Sequence, residues 1–143
     1  MIINVIIEMP KGTSYKYEVD KDSGRLVLDR VLELQIPENY GFIPNTLSED
    51  GDPLDVFVFS KEPIPPLTKV TGKVLGGYAC LDSGVKDDKI FISVGDSFDW
   101  AANIFDYLSS YKRGFQVLNQ LTIQEASDIV TQSMINYNRK ITE

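Results

Sequence analysis

The 143-residue sequence contains no histidine. That absence removes histidine metal sites, the Ser-His-Asp triad, Cys-His pairs and phosphohistidine chemistry. Acid–base work must then fall to carboxylates, lysine, tyrosine or metal-bound water. Cysteine occurs once, as Cys80, so no intramolecular disulfide can form, which fits a reducing compartment. The residue itself reads as a small buried hydrophobe. Basic charge is scarce: 14 Lys and Arg against 21 Asp and Glu leave a net charge of −7. A nucleic-acid partner is disfavoured on that balance, although basic side chains that converge locally can still hold an anion. No apolar run approaches the ~20 residues of a membrane-spanning helix. The opening Met1-Ile2-Ile3-Asn4-Val5 lacks the basic start of a signal peptide. A cytoplasmic protein with no membrane partner is expected. There is no Gly-rich phosphate loop, no internal repeat, no low-complexity tract and no linker. Residues 1–143 therefore read as one domain, large enough to bury a core without staples.

Against these absences stands one concentrated stretch, Ser48-Glu49-Asp50-Gly51-Asp52-Pro53-Leu54-Asp55-Val56. Gly51 permits a tight turn and Pro53 sets φ for the step that follows. Val56-Phe57-Val58-Phe59 then reads as a strand. Asp50, Asp52 and Asp55 gathered on such a turn repel one another, by about 4 kcal/mol for charges 4 Å apart at an effective dielectric of about 20. A cation relieves the repulsion, and oxygen-only ligands favour Mg²⁺, Mn²⁺ or Ca²⁺. The plainer alternative is a surface turn whose charges splay into water. A second acidic turn, Leu81-Asp82-Ser83-Gly84-Val85-Lys86-Asp87-Asp88-Lys89, likewise feeds a strand, Ile90–Val94. The repetition favours a shared cation site.

The rest of the chain supplies a frame. Ile2–Met9 is an apolar strand. Thr13–Asp20 alternates, with Tyr15, Tyr17 and Val19 on one face and Lys16, Glu18 and Asp20 on the other. Lys21–Gly24 is a hairpin turn returning into Arg25–Leu32, which brings Lys16, Glu18 and Arg30 towards one patch. On periodicity alone that patch reads first as a solvated face with cross-strand ion pairs. Ile36–Asn45 reads as loop, punctuated by Pro37, Gly41 and Pro44. Thr68–Leu75 is a further strand with Gly76-Gly77 as a bulge. Beyond residue 95 the pattern turns helical. Phe98, Ala101, Phe105 and Leu108 recur at spacings of three and four, with Gly114 closing the segment. Thr122-Ile123-Gln124-Glu125 is a capping box opening a last helix, whose predicted buried side is Ile123, Ala126, Val130, Met134 and Tyr137. Carboxylates that hold cations, with Lys and Arg nearby, suit a highly charged anion, most naturally a small polyphosphate.

Asp50-Gly51-Asp52-Pro53-Leu54-Asp55-Val56 resembles the signature of family I soluble inorganic pyrophosphatases. Ile7-Glu8-Met9-Pro10, Tyr15–Asp20, Leu28-Asp29-Arg30, Pro37-Glu38-Asn39-Tyr40-Gly41, Asp82–Lys89 and Tyr111-Lys112 follow that family in order. The resemblance implies a small twisted OB-type β-barrel flanked by two C-terminal helices, mainly β with some α. It implies hydrolysis of pyrophosphate to two phosphates with Mg²⁺, for which Mn²⁺ can substitute, in a homo-oligomer. By the same resemblance Asp50, Asp55, Asp82, Asp87, Glu18 and Glu8 belong to the metal and polar set, and Asp52 orients the attacking water. Lys16 and Tyr40 contact the phosphoryl group under attack, Arg30, Tyr111 and Lys112 the leaving phosphate, and Lys89 completes the set. Ile36 stands where the family usually carries a tyrosine. Asp106 and Ser110 stand where bacterial hexamers place histidines, so the resemblance does not imply the hexamer. Two other readings are a divergent paralogue that binds phosphate or pyrophosphate or hydrolyses another phosphoanhydride, and a non-catalytic OB-type binding module.

Overall fold

Strand-forming runs dominate the first two thirds of the chain and helical periodicity the last third, and the computed structural model follows that division. It describes residues 1–20, 22–95 and 102–143. The apolar opening forms β1 (Ile2–Met9), and the alternating segment with its return forms a hairpin of β2 (Tyr15–Val19) and β3 (Leu26–Val31). β4 (Asn39–Phe42) precedes the first acidic turn and β5 (Asp55–Phe59) follows it. The long β6 (Lys69–Asp82), the short β7 (Val85–Lys86) and β8 (Lys89–Ser93) lead to α1 (Ala102–Ser109), β9 (Phe115–Leu121) and α2 (Ile123–Ile141).

The sheet closes on itself. β1 pairs with β4, β4 with β5, β5 with β8, β8 with β6, and β6 returns to β1. Only the β5–β8 pairing in this circuit is parallel. β6 serves four partners: its start pairs with β1, its middle with β8 and its end with both β9 and β7. Register shifts at Val74/Gly76 and Ala79/Cys80 let one strand turn this corner, since a bulge adds local twist and bend. The first falls at Leu75, one residue before the expected Gly76-Gly77 bulge.

β5 and β8 are buried on both faces, which their unbroken apolar sequences require. Val56, Val58, Ile90 and Ile92 join Val5, Ile7 and Val74 in an aliphatic core closed by Ala126 and Val130 of α2. The alternate residues Phe57, Phe59 and Phe91 join Cys80 and the Ile104 and Leu108 side chains of α1 in a second cluster. Phe91 sits at its centre, edge-on to Phe59 and Tyr78 at centroid distances of 5.5 and 5.1 Å. α2 opens with the expected capping box: Thr122 Oγ1 accepts from Glu125 N at 3.1 Å and Glu125 Oε1 from Thr122 N at 3.0 Å.

Four local expectations are corrected. Ile36–Asn45 is not all loop, because β4 lies within it. Its prolines flank the strand rather than interrupt it, and Gly41 lets β1 approach so closely that a Cβ there would strike the Ile6 carbonyl. Residues 115–121 form β9, where no element was expected; its tertiary partner, the end of β6, supplies the ladder. Ile123 is 52% exposed, and the buried line of α2 is Ala126, Val130 and Ser133. Phe105 is 46% exposed, with one edge against Tyr78. The hairpin-turn expectation at Lys21 and the helical expectation at Phe98 and Ala101 lie outside the described residues.

Candidate active site

The first acidic turn is an ordered structure. Ser48 N donates to Asp52 O at 2.8 Å and Gly51 N to Ser48 O at 3.1 Å. Asp52 N donates to Asp50 Oδ1 at 2.9 Å, so one carboxylate braces the backbone of the next. Gly51 takes φ +88°, the left-handed region open to glycine at little cost. The turn is fastened to α2 through Leu47 N, which donates to Ser133 O at 2.9 Å.

Asp55 then starts β5 beside Lys89, which starts β8, because the parallel register pairs these two residues. Tyr40 projects from β4, and its ring packs on Phe57 with centroids 4.9 Å apart. Asp82 ends β6, and Asp87 lies between β7 and β8. Glu8 of β1 reaches the β2–β3 hairpin, its Oε2 accepting from Val19 N at 2.8 Å. That bond helps to bring Lys16 and Glu18 over the end of the barrel.

These elements enclose an open cavity of about 200 Å³. It is lined by the acidic residues Glu8, Glu18, Asp50, Asp52, Asp55, Asp82 and Asp87, by Lys16, Lys89 and Lys112, and by Tyr40 and Tyr111. Of the metal and substrate residues expected from the sequence, Arg30 alone is outside this lining. It pairs across the hairpin with Lys16 and faces an adjacent cavity with Tyr107 and Tyr111. Tyr17, which sequence reasoning missed, joins the main cavity. Strict alternation would put it on the face opposite Lys16 and Glu18, but the register shifts between Lys16 and Tyr17. Tyr107 was also overlooked. It is buried beneath the site, its ring 5.6 Å from that of Tyr111. Ile36 is buried there too, at 2% exposure, in an apolar recess shared with Tyr40, Lys89 and Tyr107.

Each lysine of the cavity is engaged by a carboxylate. Lys16 Nζ lies 3.6 Å from Glu18 Oε1 and 3.5 Å from Asp29 Oδ2. Lys112 Nζ lies 2.7 Å from Asp82 Oδ2. Lys89 is 3% exposed, and its Nζ lies 2.7 Å from Asp55 Oδ2, 3.2 Å from both Asp87 oxygens and 2.8 Å from Tyr40 Oη. Burial by itself would lower the ammonium pKa; Asp55, Tyr40 and Asp87 outweigh it and hold Lys89 well above its usual range. One ammonium cannot neutralise two carboxylates. Asp87 shows the deficit: burial pushes its carboxyl up to about 6, against the pull of Lys89 and with the added push of Asp55. Burial likewise raises Asp50 and, with Asp55 adding, Tyr40.

Among the described residues no three acidic side chains already converge as a finished metal cage. The donor chemistry nevertheless fits a hard divalent cation: seven carboxylates and no sulfur or imidazole line the cavity. The proton-hungry Asp87 is the kind of group that a cation would satisfy.

Fold and site together define a closed-barrel protein with a carboxylate–lysine cavity suited to phosphates and cations. A sequence model of the family described as inorganic pyrophosphatase matches residues 5–137, so the chain belongs to the inorganic pyrophosphatase family. It is 37% identical over 129 residues to soluble inorganic pyrophosphatase 2 of Chlamydomonas reinhardtii, covering 89% of this chain and 61% of the relative. Over 98 residues it is 44% identical to soluble inorganic pyrophosphatase 3 of Arabidopsis thaliana, covering 67% of this chain and 45% of the relative. The chain thus spans less than two thirds of the length of these curated relatives. The crystal structure of the inorganic pyrophosphatase from Thermus thermophilus superposes with a TM-score of 0.87 at 30% identity, covering 96% of this chain and 91% of that one. The OB-type barrel is therefore the fold of this protein. No helix among the described residues is long and apolar enough to cross a membrane.

Proposed function

We propose that the protein hydrolyses inorganic pyrophosphate to two phosphates with the help of divalent cations, Mg²⁺ first and Mn²⁺ as a substitute. One observation carries the reading: a single cavity lined by seven carboxylates and three lysines in a chain that matches the pyrophosphatase family over residues 5–137. Pyrophosphate needs cationic partners on both phosphates and a positioned water, and the cavity walls hold groups for each task.

In this reading Asp50, Asp55, Asp82 and Asp87, with Glu18 and Glu8, hold the cations. Bound there, a divalent cation supplies charge neutralisation and lowers the pKa of water. The chain's own residues do the rest. Asp52, on the rigid turn, accepts the proton of the attacking water at its carboxylate. Lys16 and Tyr40 fix the phosphoryl group under attack. Lys112 and Tyr111 receive the departing phosphate, with Arg30 beside Tyr111 in the adjoining cavity as their further cationic partner. A homo-oligomer belongs to the same reading, supported by the exposed apolar Val27, Leu28 and Val31 of β3. A phosphate- or pyrophosphate-binding paralogue is the second reading. It draws on Ile36, an apolar and fully packed residue where the family resemblance expects a hydroxyl.

The test is phosphate release from pyrophosphate by purified protein with Mg²⁺, with no metal, and with Ca²⁺. Rapid Mg²⁺-dependent release is expected. Tight pyrophosphate binding without release would favour the paralogue, and neither release nor binding would refute both.

A further inference from the structure

Two carboxylates of the cavity, Asp55 and Asp87, are bridged by one buried ammonium. Lys89 Nζ lies 2.7 Å from Asp55 Oδ2 and 3.2 Å from each oxygen of Asp87. The placement is built rather than incidental. Lys89 starts β8 in parallel register with Asp55, and Tyr40 Oη takes a third contact at 2.8 Å. Its side chain is 3% exposed, whereas an isolated ammonium so buried would be strongly unfavourable. The two other lysines of the cavity are also paired, Lys16 with Glu18 at 3.6 Å and Lys112 with Asp82 at 2.7 Å, but each on a more exposed side chain.

We propose that Lys89 is a built-in stand-in cation: its ammonium occupies the space between Asp55 and Asp87 in the cation-free protein and yields that space when a divalent ion arrives. This rests on the reading of Asp55 and Asp87 as cation ligands. The physical logic is an exchange of cations. Without an ion, two neighbouring carboxylates in a partly desolvated cavity repel each other, and the lysine holds the barrel end together. When the ion binds, both carboxylates turn to it and like charge drives the ammonium towards the open cavity, where an anionic substrate would meet it. Lys89 would then set cation affinity by competing for the same oxygens, and it would couple cation binding to anion binding. It is a positioning residue in this role.

The first test compares wild-type protein with Lys89→Met by calorimetric titration with Mn²⁺ in the absence of any phosphate. Removing a competing positive charge should tighten Mn²⁺ binding roughly tenfold or more, because repulsion between a unit and a double charge across a few ångströms is worth that even with water-like screening. The metal-free variant should melt at a lower temperature than wild type, and saturating Mn²⁺ should narrow the gap. Unchanged or weaker Mn²⁺ binding by Lys89→Met would overturn the proposal. The second test needs no variant: brief acylation of wild-type protein with an amine-reactive ester, read by mass spectrometry at Lys89. Labelling should be low without metal and rise with Mn²⁺, and labelling that does not respond to Mn²⁺ overturns the proposal. If wild-type protein binds no Mn²⁺, it is the reading of the site as a cation site that fails.

Discussion

Lys112 Nζ stands 2.7 Å from Asp82 Oδ2, tying the segment after α1 to the end of β6. Both side chains are about one-third exposed, so water screens the pair and its worth to the fold is at most about 1 kcal/mol. Lys112→Ala should therefore leave denaturant stability almost unchanged. Its effect should fall on the anion: KM for pyrophosphate should rise about 10- to 100-fold, the loss expected for a hydrogen bond to a charged group. Steady-state kinetics beside a urea melt separate the two, and a large stability loss with unchanged KM would contradict this assignment.

Asp52 is positioned by the hydrogen-bonded turn from Ser48 to Asp52. Asp52→Asn preserves shape but removes the proposed base. Turnover should drop about 10²- to 10⁴-fold, with Mn²⁺ affinity altered little in calorimetric titration. Undiminished turnover would remove Asp52 from the chemistry.

The Asp87 carboxyl sits at about 6 in the folded protein, against about 4 in an unfolded chain. The folded state holds this proton more tightly. Its stabilising contribution is therefore complete below about pH 4 and lost as pH rises through about 6. In chelator, Asp87→Asn should gain on wild type as pH rises from 4.5 to 7, since the variant has no such proton to lose. Mn²⁺ should oppose the trend in wild type, because the cation needs the ionised carboxylate. Thermal melts across this range give the answer; a pH-independent difference between the two proteins would count against it.

Asn39 is fully buried and spends its whole side chain on hydrogen bonds. Its Oδ1 accepts from Lys11 N at 2.9 Å and Ile64 N at 2.8 Å, and its Nδ2 donates to Val58 O and Ser60 Oγ at 3.1 and 2.7 Å. Asn39→Leu matches the volume but leaves these partners unsatisfied in the interior, at a cost of about 2–4 kcal/mol. The urea midpoint should fall at unchanged m. Because Asn39 starts β4 just before Tyr40, the variant should also weaken pyrophosphate binding when assayed well below its melting range.

Much of the frame was legible because local patterns carry it. Thr122 and Glu125 announce α2 through a capping box that needs only three residues of separation. The period-two and all-apolar runs of β1, β2, β5 and β8 are readable for the same reason. β4 and β9 were not legible. Asn39–Phe42 is four residues between prolines, held by a buried amide and a glycine contact to distant strands, and Phe115–Leu121 is a strand because the end of β6 is beside it.

By itself the sequence determined the chemistry available: no histidine or thiol pair, more carboxylates than basic groups, and a glycine-centred acidic turn that brings Asp50, Asp52 and Asp55 within six residues. Only the tertiary structure decided which charge meets which. Asp55 and Lys89 are 34 residues apart in the chain and 2.7 Å apart in the fold. The raised carboxyl of Asp87, the exclusion of Arg30 from the main cavity and the recruitment of Tyr17 follow from register and burial. Coulomb energies and desolvation depend on ångström separations and on the depth of the surrounding protein, and sequence spacing specifies neither until the barrel closes.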